Sequence, residues 1–219
     1  MTFYFEKEAL VASGVKEDAR IADYISKLGH VHQQFIREKK STHDPLTNAK
    51  ALFDWLWIKK PDRYRPHGYY RLNDAIDSHL STESQAVGNC LGLTLLYNCL
   101  LRRTGIDAEA LYLDNAFGVS PHVLTILKTK ESTIDIENIL PDGFDYKGHL
   151  NDPSRTRWGD RELVADIYHS QGNEFYEKGD YIEALKSYDR AIDLNPLYEK
   201  ALLNKAILLD RMGMEKEAR

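Results

Sequence analysis

Three residues of this 219-residue chain have the types and order that nucleophilic catalysis by sulfur needs: Cys90, His122 and Asp135. The thiolate is the nucleophile, so the cysteine needs surroundings that favour the anion, a base that moves protons, and a group that orients the base. Cys90 follows Gly88-Asn89 within a stretch from Ser84 to Leu101 that carries no charged residue, although 29% of the chain is charged. Gly88-Asn89 reads as a turn and helix start. Gly105 closes the helix behind the basic pair Arg102-Arg103, as C-caps and the helix dipole favour. A helix apolar on nearly every side is a buried one. At its first turn the partly unpaired N–H groups favour a thiolate at Cys90. Gln85, just upstream, is a candidate oxyanion donor beside the backbone N–H of Cys90.

His122-Val123-Leu124-Thr125-Ile126-Leu127 is dense in β-branched and apolar residues, a buried strand, and Thr133-Ile134-Asp135-Ile136 alternates as a half-buried strand should. Lys128 to Ser132 is the polar turn between them. A loop at Leu127 to Lys130 pairs His122 with Asp135; a turn centred on Lys130-Glu131 instead sets Ile126 opposite Asp135. A carboxylate inside an apolar strand needs a partner, because an unpaired buried charge is costly, and protonated His122 is the natural candidate. Taken singly, Cys90 also reads as a small buried residue and His122 as a structural strand histidine. Only the ordered set lifts them.

The elements that must position these residues begin with a helical N-terminal third. Phe5, Leu10 and Val11 form a short apolar face that ends at Gly14, and Ile21, Ile25, Leu28, Val31 and Phe35 recur at helical spacing between Asp18 and Lys39. Asp44 is an N-cap with Pro45 at the first helical position, and the helix through Ala49, Leu52, Phe53, Leu56 and Trp57 stops before Pro61. Residues 61–67 read as an ordered irregular loop, Tyr69 to Leu80 as a short helix, and Ala108 to Leu113 as a strand. Residues 141–160 hold several glycines and prolines among charges and mark a domain boundary. The expected organisation is a domain over 1–150, with a helical N-terminal region over 1–80 and the nucleophile helix and sheet at 84–140, followed by a second segment over 161–219.

That second segment contains an internal repeat. Gly179 and Gly213 lie 34 residues apart, as do Ala184 and Ala218, and Gly172 is matched by Ala206. This period resembles the tetratricopeptide (TPR) repeat. In the first repeat, Ala165 to Tyr198, the residues Tyr168, Gly172, Phe175, Gly179-Asp180-Tyr181, Ala184, Tyr188, Ala191 and Asn195-Pro196 sit where that pattern asks. The partial second, 199–219, follows through Leu202, Leu209 and Gly213. Because about three repeats are usually needed for stability, an ending in mid-repeat suggests a piece of a longer array. A protein or peptide ligand is the expected partner.

Gly88-Asn89-Cys90, followed by an apolar helix ending Leu100-Leu101-Arg102-Arg103-Thr104-Gly105-Ile106, resembles the transglutaminase-like fold, a relative of papain-type cysteine proteases. Tyr69-Tyr70-Arg71-Leu72-Asn73-Asp74-Ala75-Ile76 and the helical N-terminal third resemble its SirB-type branch, whose members also carry TPR repeats after that domain. The resemblance implies an α+β fold with a small antiparallel sheet, followed by an all-α TPR segment. It implies Cys90 as nucleophile, His122 as general base and acid, and Asp135 as the orienting carboxylate. Many SirB-type members lack the cysteine, whereas this chain keeps all three. The tryptophan that supports the transition state in tissue-type transglutaminases has no clear counterpart. Acyl transfer at an amide would pass through a thioester at Cys90, which water or an amine would resolve.

Other classes are disfavoured. A net charge of -5 argues against a general nucleic-acid binder, and the basic, aromatic stretch Lys59 to Arg71 reads as a packed surface loop. The apolar run at Cys90 to Leu101 is too short to span a bilayer. The acidic start Met1 to Glu8 lacks the form of a secretory signal, so a cytoplasmic protein is expected. Cys90 and Cys99 are about 900° apart on one helix and point to opposite sides, so no disulfide is expected and Cys99 reads as core. His30 and His32 diverge by about 200°, the cysteines lack zinc spacing, and neither metal nor cofactor is expected. Two functions remain: a cysteine hydrolase or acyltransferase acting on a protein or peptide amide, and a non-catalytic interaction scaffold.

Overall fold

Asp44 begins the third helix as its side chain accepts a hydrogen bond from the Thr47 N–H at 2.9 Å, with Pro45 at the first position, and Asn89 does the same for the helix that starts at Cys90 through the Gly92 N–H at 3.1 Å. Such caps satisfy donors that a helix start leaves orphaned. The computed structural model describes residues 3–39, 42–118, 120–129 and 133–213. It divides into two compact units, residues 1–159 and 160–219.

The first unit opens with α1 (Phe5–Ala12), α2 (Asp18–Glu38), α3 (Pro45–Lys59), α4 (Leu72–Leu80) and α5 (Cys90–Arg103). The break at Gly14 is real, with a φ of 91°. The helix expected from Tyr69 starts only at Leu72, because Tyr69 itself has a φ of 53°. Every residue of α5 from Leu91 to Leu101 is buried, and α1 to α4 and the sheet pack around it. Each leucine so buried contributes about 1.5–3 kcal/mol.

The sheet is antiparallel, in the order β3-β2-β1-β4, from β1 (Ala108–Ala116), β2 (Ser120–Lys128), β3 (Thr133–Ile136) and β4 (Thr156–Trp158). Buried polar side chains join α5 to it. Thr125 Oγ1 donates to Asn98 Oδ1 at 2.7 Å, and Asn138 Nδ2 donates to Thr94 Oγ1 at 3.1 Å and Thr125 Oγ1 at 2.9 Å. Satisfied networks of this kind specify one arrangement, since any other leaves buried polar atoms unpaired.

One sequence expectation shifts: strand β1 runs on to Ala116 rather than ending at Leu113, through an irregularity between those residues. The division between the two units falls after Gly159, within residues 141–160. Strand β4 pairs Ala110 with Trp158 and Tyr112 with Thr156, and the Tyr112 and Trp158 rings stack at 4.1 Å. A strand of three residues among glycines, prolines and charges is too short for periodicity to reveal. Residues 130–132 of the expected polar turn lie outside the described residues.

The second unit contains α6 (Asp160–Glu177), α7 (Tyr181–Leu194) and α8 (Glu199–Arg211). Gly179 and Gly213 have φ of 78° and 72° and end α6 and α8 alike, each N–H reaching the carbonyl three residues back. A Cβ at Gly172 would press into the Tyr188 ring, and Tyr188 is itself buried. Ala218 and the second helix of the partial repeat lie outside the described residues.

A close approach supports the start of α5. A Cβ on Gly92 would overlap the carbonyl oxygen of Tyr69, whose backbone also accepts the Asn89 N–H at 3.3 Å. Gly92→Ala therefore lowers stability by about 1–3 kcal/mol, as overpacking against rigid backbone does. Urea denaturation reads this as a lower midpoint at unchanged slope; an unshifted midpoint would show that the loop at Tyr69 yields freely.

Candidate active site

The start of α5 is stitched to the loop after α3. Tyr64 forms a bridge with Gly88, Val87 N–H and Gly88 N–H both reach the Arg63 carbonyl, and Arg65 N–H reaches the Gly88 carbonyl at 3.0 Å. Cys90 is thereby presented partly exposed at the first turn, whereas Cys99 is buried; neither forms a disulfide. The basic residues of this loop are used in packing. Arg63 is only 2% exposed and lies against Trp57, and Arg65 and Arg71 lie over Tyr69 and Tyr70.

Cys90 acts electrostatically on the His122 ring, which marks the two as neighbours, and His122 Nε2 lies 2.8 Å from Glu137 Oε2. Burial works against charge on His122, but the hydrogen bonds and negative charge of Cys90 and Glu137 outweigh it and push its pKa up to about 10. Burial likewise opposes charge on Glu137, yet hydrogen bonds from His122 and His149 hold it below the usual carboxylate range. A cationic imidazole beside a cysteine at a helix N-terminus is the setting that makes a thiol reactive.

Asp135 sits elsewhere. The hairpin adopts the second of the two registers open to it, with Ile126 opposite Asp135, and Asp135 accepts two hydrogen bonds from Arg155, at 2.7 and 3.0 Å. Arg155 also donates to the His149 carbonyl at 2.9 Å. The carboxylate on His122 is that of Glu137, which this register sets diagonally across the strand pair. Glu137 was missed because it follows the last strand residue. Its backbone is pinned where the chain folds back: its N–H reaches the Gly143 carbonyl at 2.8 Å, and the Leu140 N–H reaches its own carbonyl. A Cβ on Gly143 would overlap that Glu137 carbonyl.

Three further groups border the site. His149 Nε2 lies 3.1 Å from Glu137 Oε2. Phe117, with a φ of 55°, stands edge-on to His122 and His149 at 5.6 and 4.9 Å. The Tyr64 hydroxyl is raised in pKa by burial first and then by the charges of Cys90 and Glu137, which marks it as their neighbour. Gln85 is exposed on the segment before α5. His122, Glu137 and His149 offer ligand atoms that all lie within 4.8 Å of one another, a grouping hidden in the sequence because three separate segments supply it.

Comparison with known proteins adds to the second unit. The family described as TPR repeat matches residues 172–213. These residues are similar to a TPR repeat. They take in the Gly172–Tyr188 packing and both helix-ending glycines, Gly179 and Gly213. A cleft of about 300 Å³ in this unit is lined by Asn173, Tyr176, Glu177, Tyr188, Asn204 and Ile207. TPR repeats commonly serve protein–protein interaction. An uncharacterized protein of Methanocaldococcus jannaschii is 44% identical over 55 residues, which are 25% of this chain and 64% of that protein. The match thus spans less than two thirds of the relative's length. No solved structure gives a significant match. Among the described residues no helix is long and apolar enough to cross a membrane.

Proposed function

We propose that the first unit is a transglutaminase-like cysteine acyl-transfer domain acting on a protein or peptide amide, and that the TPR segment recruits the protein that carries it. The observation that carries this reading is the His122 ring, hydrogen-bonded to the buried Glu137 at 2.8 Å and acted on by Cys90 at the start of α5. Cys90 Sγ attacks the amide carbonyl carbon, forming the C–S bond and an oxyanion. The backbone N–H of Cys90, at the first position of α5, is the donor offered where that charge develops. The His122 imidazolium gives its proton to the leaving nitrogen as the C–N bond breaks, leaving a thioester. His122 then takes a proton from water or an amine, which attacks the thioester, and the C–S bond breaks to restore the thiolate. Glu137 keeps the ring oriented throughout. Asp135 has a positioning role in this scheme, because it anchors the Arg155 that holds the His149 loop.

Iodoacetamide near neutral pH tests this directly. Cys90 labels at least about tenfold faster than Cys99, since exposure and thiolate character both govern the rate, and His122→Ala removes the difference. Equal labelling of the two thiols, read by mass spectrometry of the folded protein, would leave only the interaction role of the TPR segment.

A further inference from the structure

A thiol needs one imidazole, and an imidazole needs one carboxylate to orient it, yet a second histidine meets the same oxygen. His122 Nε2 and His149 Nε2 lie 2.8 and 3.1 Å from Glu137 Oε2, and the three side chains are 6%, 6% and 0% exposed in the order His122, His149, Glu137. We infer that His122, Glu137 and His149 form a binding site for one divalent transition-metal ion of the zinc type. The argument rests on distance, ligand type and support.

Ligand atoms about 2.0–2.1 Å from a tetrahedral zinc stand roughly 3.3 Å from one another. The two nitrogen–oxygen separations, 2.8 and 3.1 Å, fall up to about half an ångström short of that, and all three ligand atoms lie within 4.8 Å of one another, so the rings must part slightly to admit the ion. Two imidazoles and one carboxylate are the ligands of open three-residue zinc sites, and imidazole also suits copper, iron and nickel.

Support comes from the neighbouring chain. Arg155, fixed by both oxygens of Asp135, grips the His149 carbonyl, and Gly143 pins the Glu137 backbone. Such outer contacts hold ligands in place before an ion arrives. Cys90 is outside the ligand set, since the atoms that gather within 4.8 Å of one another come from His122, Glu137 and His149. The site therefore does not depend on the acyl-transfer reading. It does use the same His122, so a metal-loaded protein and one whose Nε2–H bonds Glu137 are alternative forms.

The test loads the full chain with zinc(II), after chelation, and follows calorimetry and X-ray absorption. One equivalent binds, the first shell contains only nitrogen and oxygen near 2.0–2.1 Å with two imidazole signatures, and Cys90→Ser binds equally well. His149→Ala loses at least about tenfold in affinity. No stoichiometric binding, sulfur in the first shell, or undiminished affinity in His149→Ala each overturns the assignment. Should His149→Ala fail to fold by circular dichroism, the absorption spectrum of the unaltered chain decides alone. Cys90→Ser separates the two readings, since it abolishes acyl transfer but must keep the metal.

Discussion

Glu137→Gln slows alkylation of Cys90 by about tenfold or more near neutral pH, whereas Asp135→Asn leaves that rate within about twofold of the unaltered protein. The amide keeps the shape of Glu137 but removes the negative charge on His122 Nε2. Each 1.4 kcal/mol taken from the support Glu137 gives the charged His122 ring is a tenfold change, and a buried hydrogen bond to a charged group is worth about 1.5–3 kcal/mol. In a turnover assay the loss would be larger, toward the roughly 10⁴-fold seen when a triad carboxylate becomes an amide. Asp135→Asn instead leaves the buried side of Arg155 with one fewer charge to bind, and its effect is on stability. Alkylation rates and denaturation midpoints measured on both variants separate the roles. Equal slowing in the two, or slowing in Asp135→Asn alone, would return the orienting role to Asp135.

Acid weakens this protein through His79. His79 on α4 is 6% exposed. Burial first, then the positive charges of Arg63, Lys60 and Lys59, lower its pKa from 6.5 to about 3. Trp55 of α3 packs on its ring at 5.6 Å. Lys60 is itself buried, with Nζ donating to the Ser81 and Ser84 carbonyls. The folded pKa lies below the unfolded one, so between pH 6.5 and 3 the unfolded chain binds the extra proton. The stability due to neutral His79 is therefore complete above 6.5 and is lost as pH falls, at up to about 1.4 kcal/mol per pH unit. His79→Phe removes the titrating group. Between pH 7 and 4.5 the unaltered protein should lose about 3 kcal/mol more than this variant in urea denaturation. Parallel stability–pH curves for the two proteins would exclude His79 as the source.

Much of the architecture was legible in the residues. Asp44-Pro45 and Asn89-Cys90 announced two helix starts because capping is local chemistry between neighbours. The uncharged run through Leu101 announced a buried helix because burial excludes unpaired charge. The glycines 34 residues apart announced the repeat because each must end a helix at positive φ. Strand β4 was not legible, since three residues carry no period and its partner lies over forty positions earlier. The buried cations Lys60 and Arg63 were also hidden: both sit in a stretch that reads as surface, and carbonyl and ring contacts take them inside.

By itself, the order of residues determined that Cys90 stands at a helix start, that His122 stands on a strand behind it, and that a TPR repeat follows. These features depend on interactions spanning a few positions, which spacing records. Which carboxylate meets His122 was decided only by the tertiary structure. The hairpin register sets Ile126 across from Asp135, Arg155 arrives from β4's approach to neutralise that aspartate, and the fold-back at Gly143 turns Glu137 and His149 onto His122. A side chain's partner is set by distances between segments far apart in the chain, and no spacing along the chain encodes them.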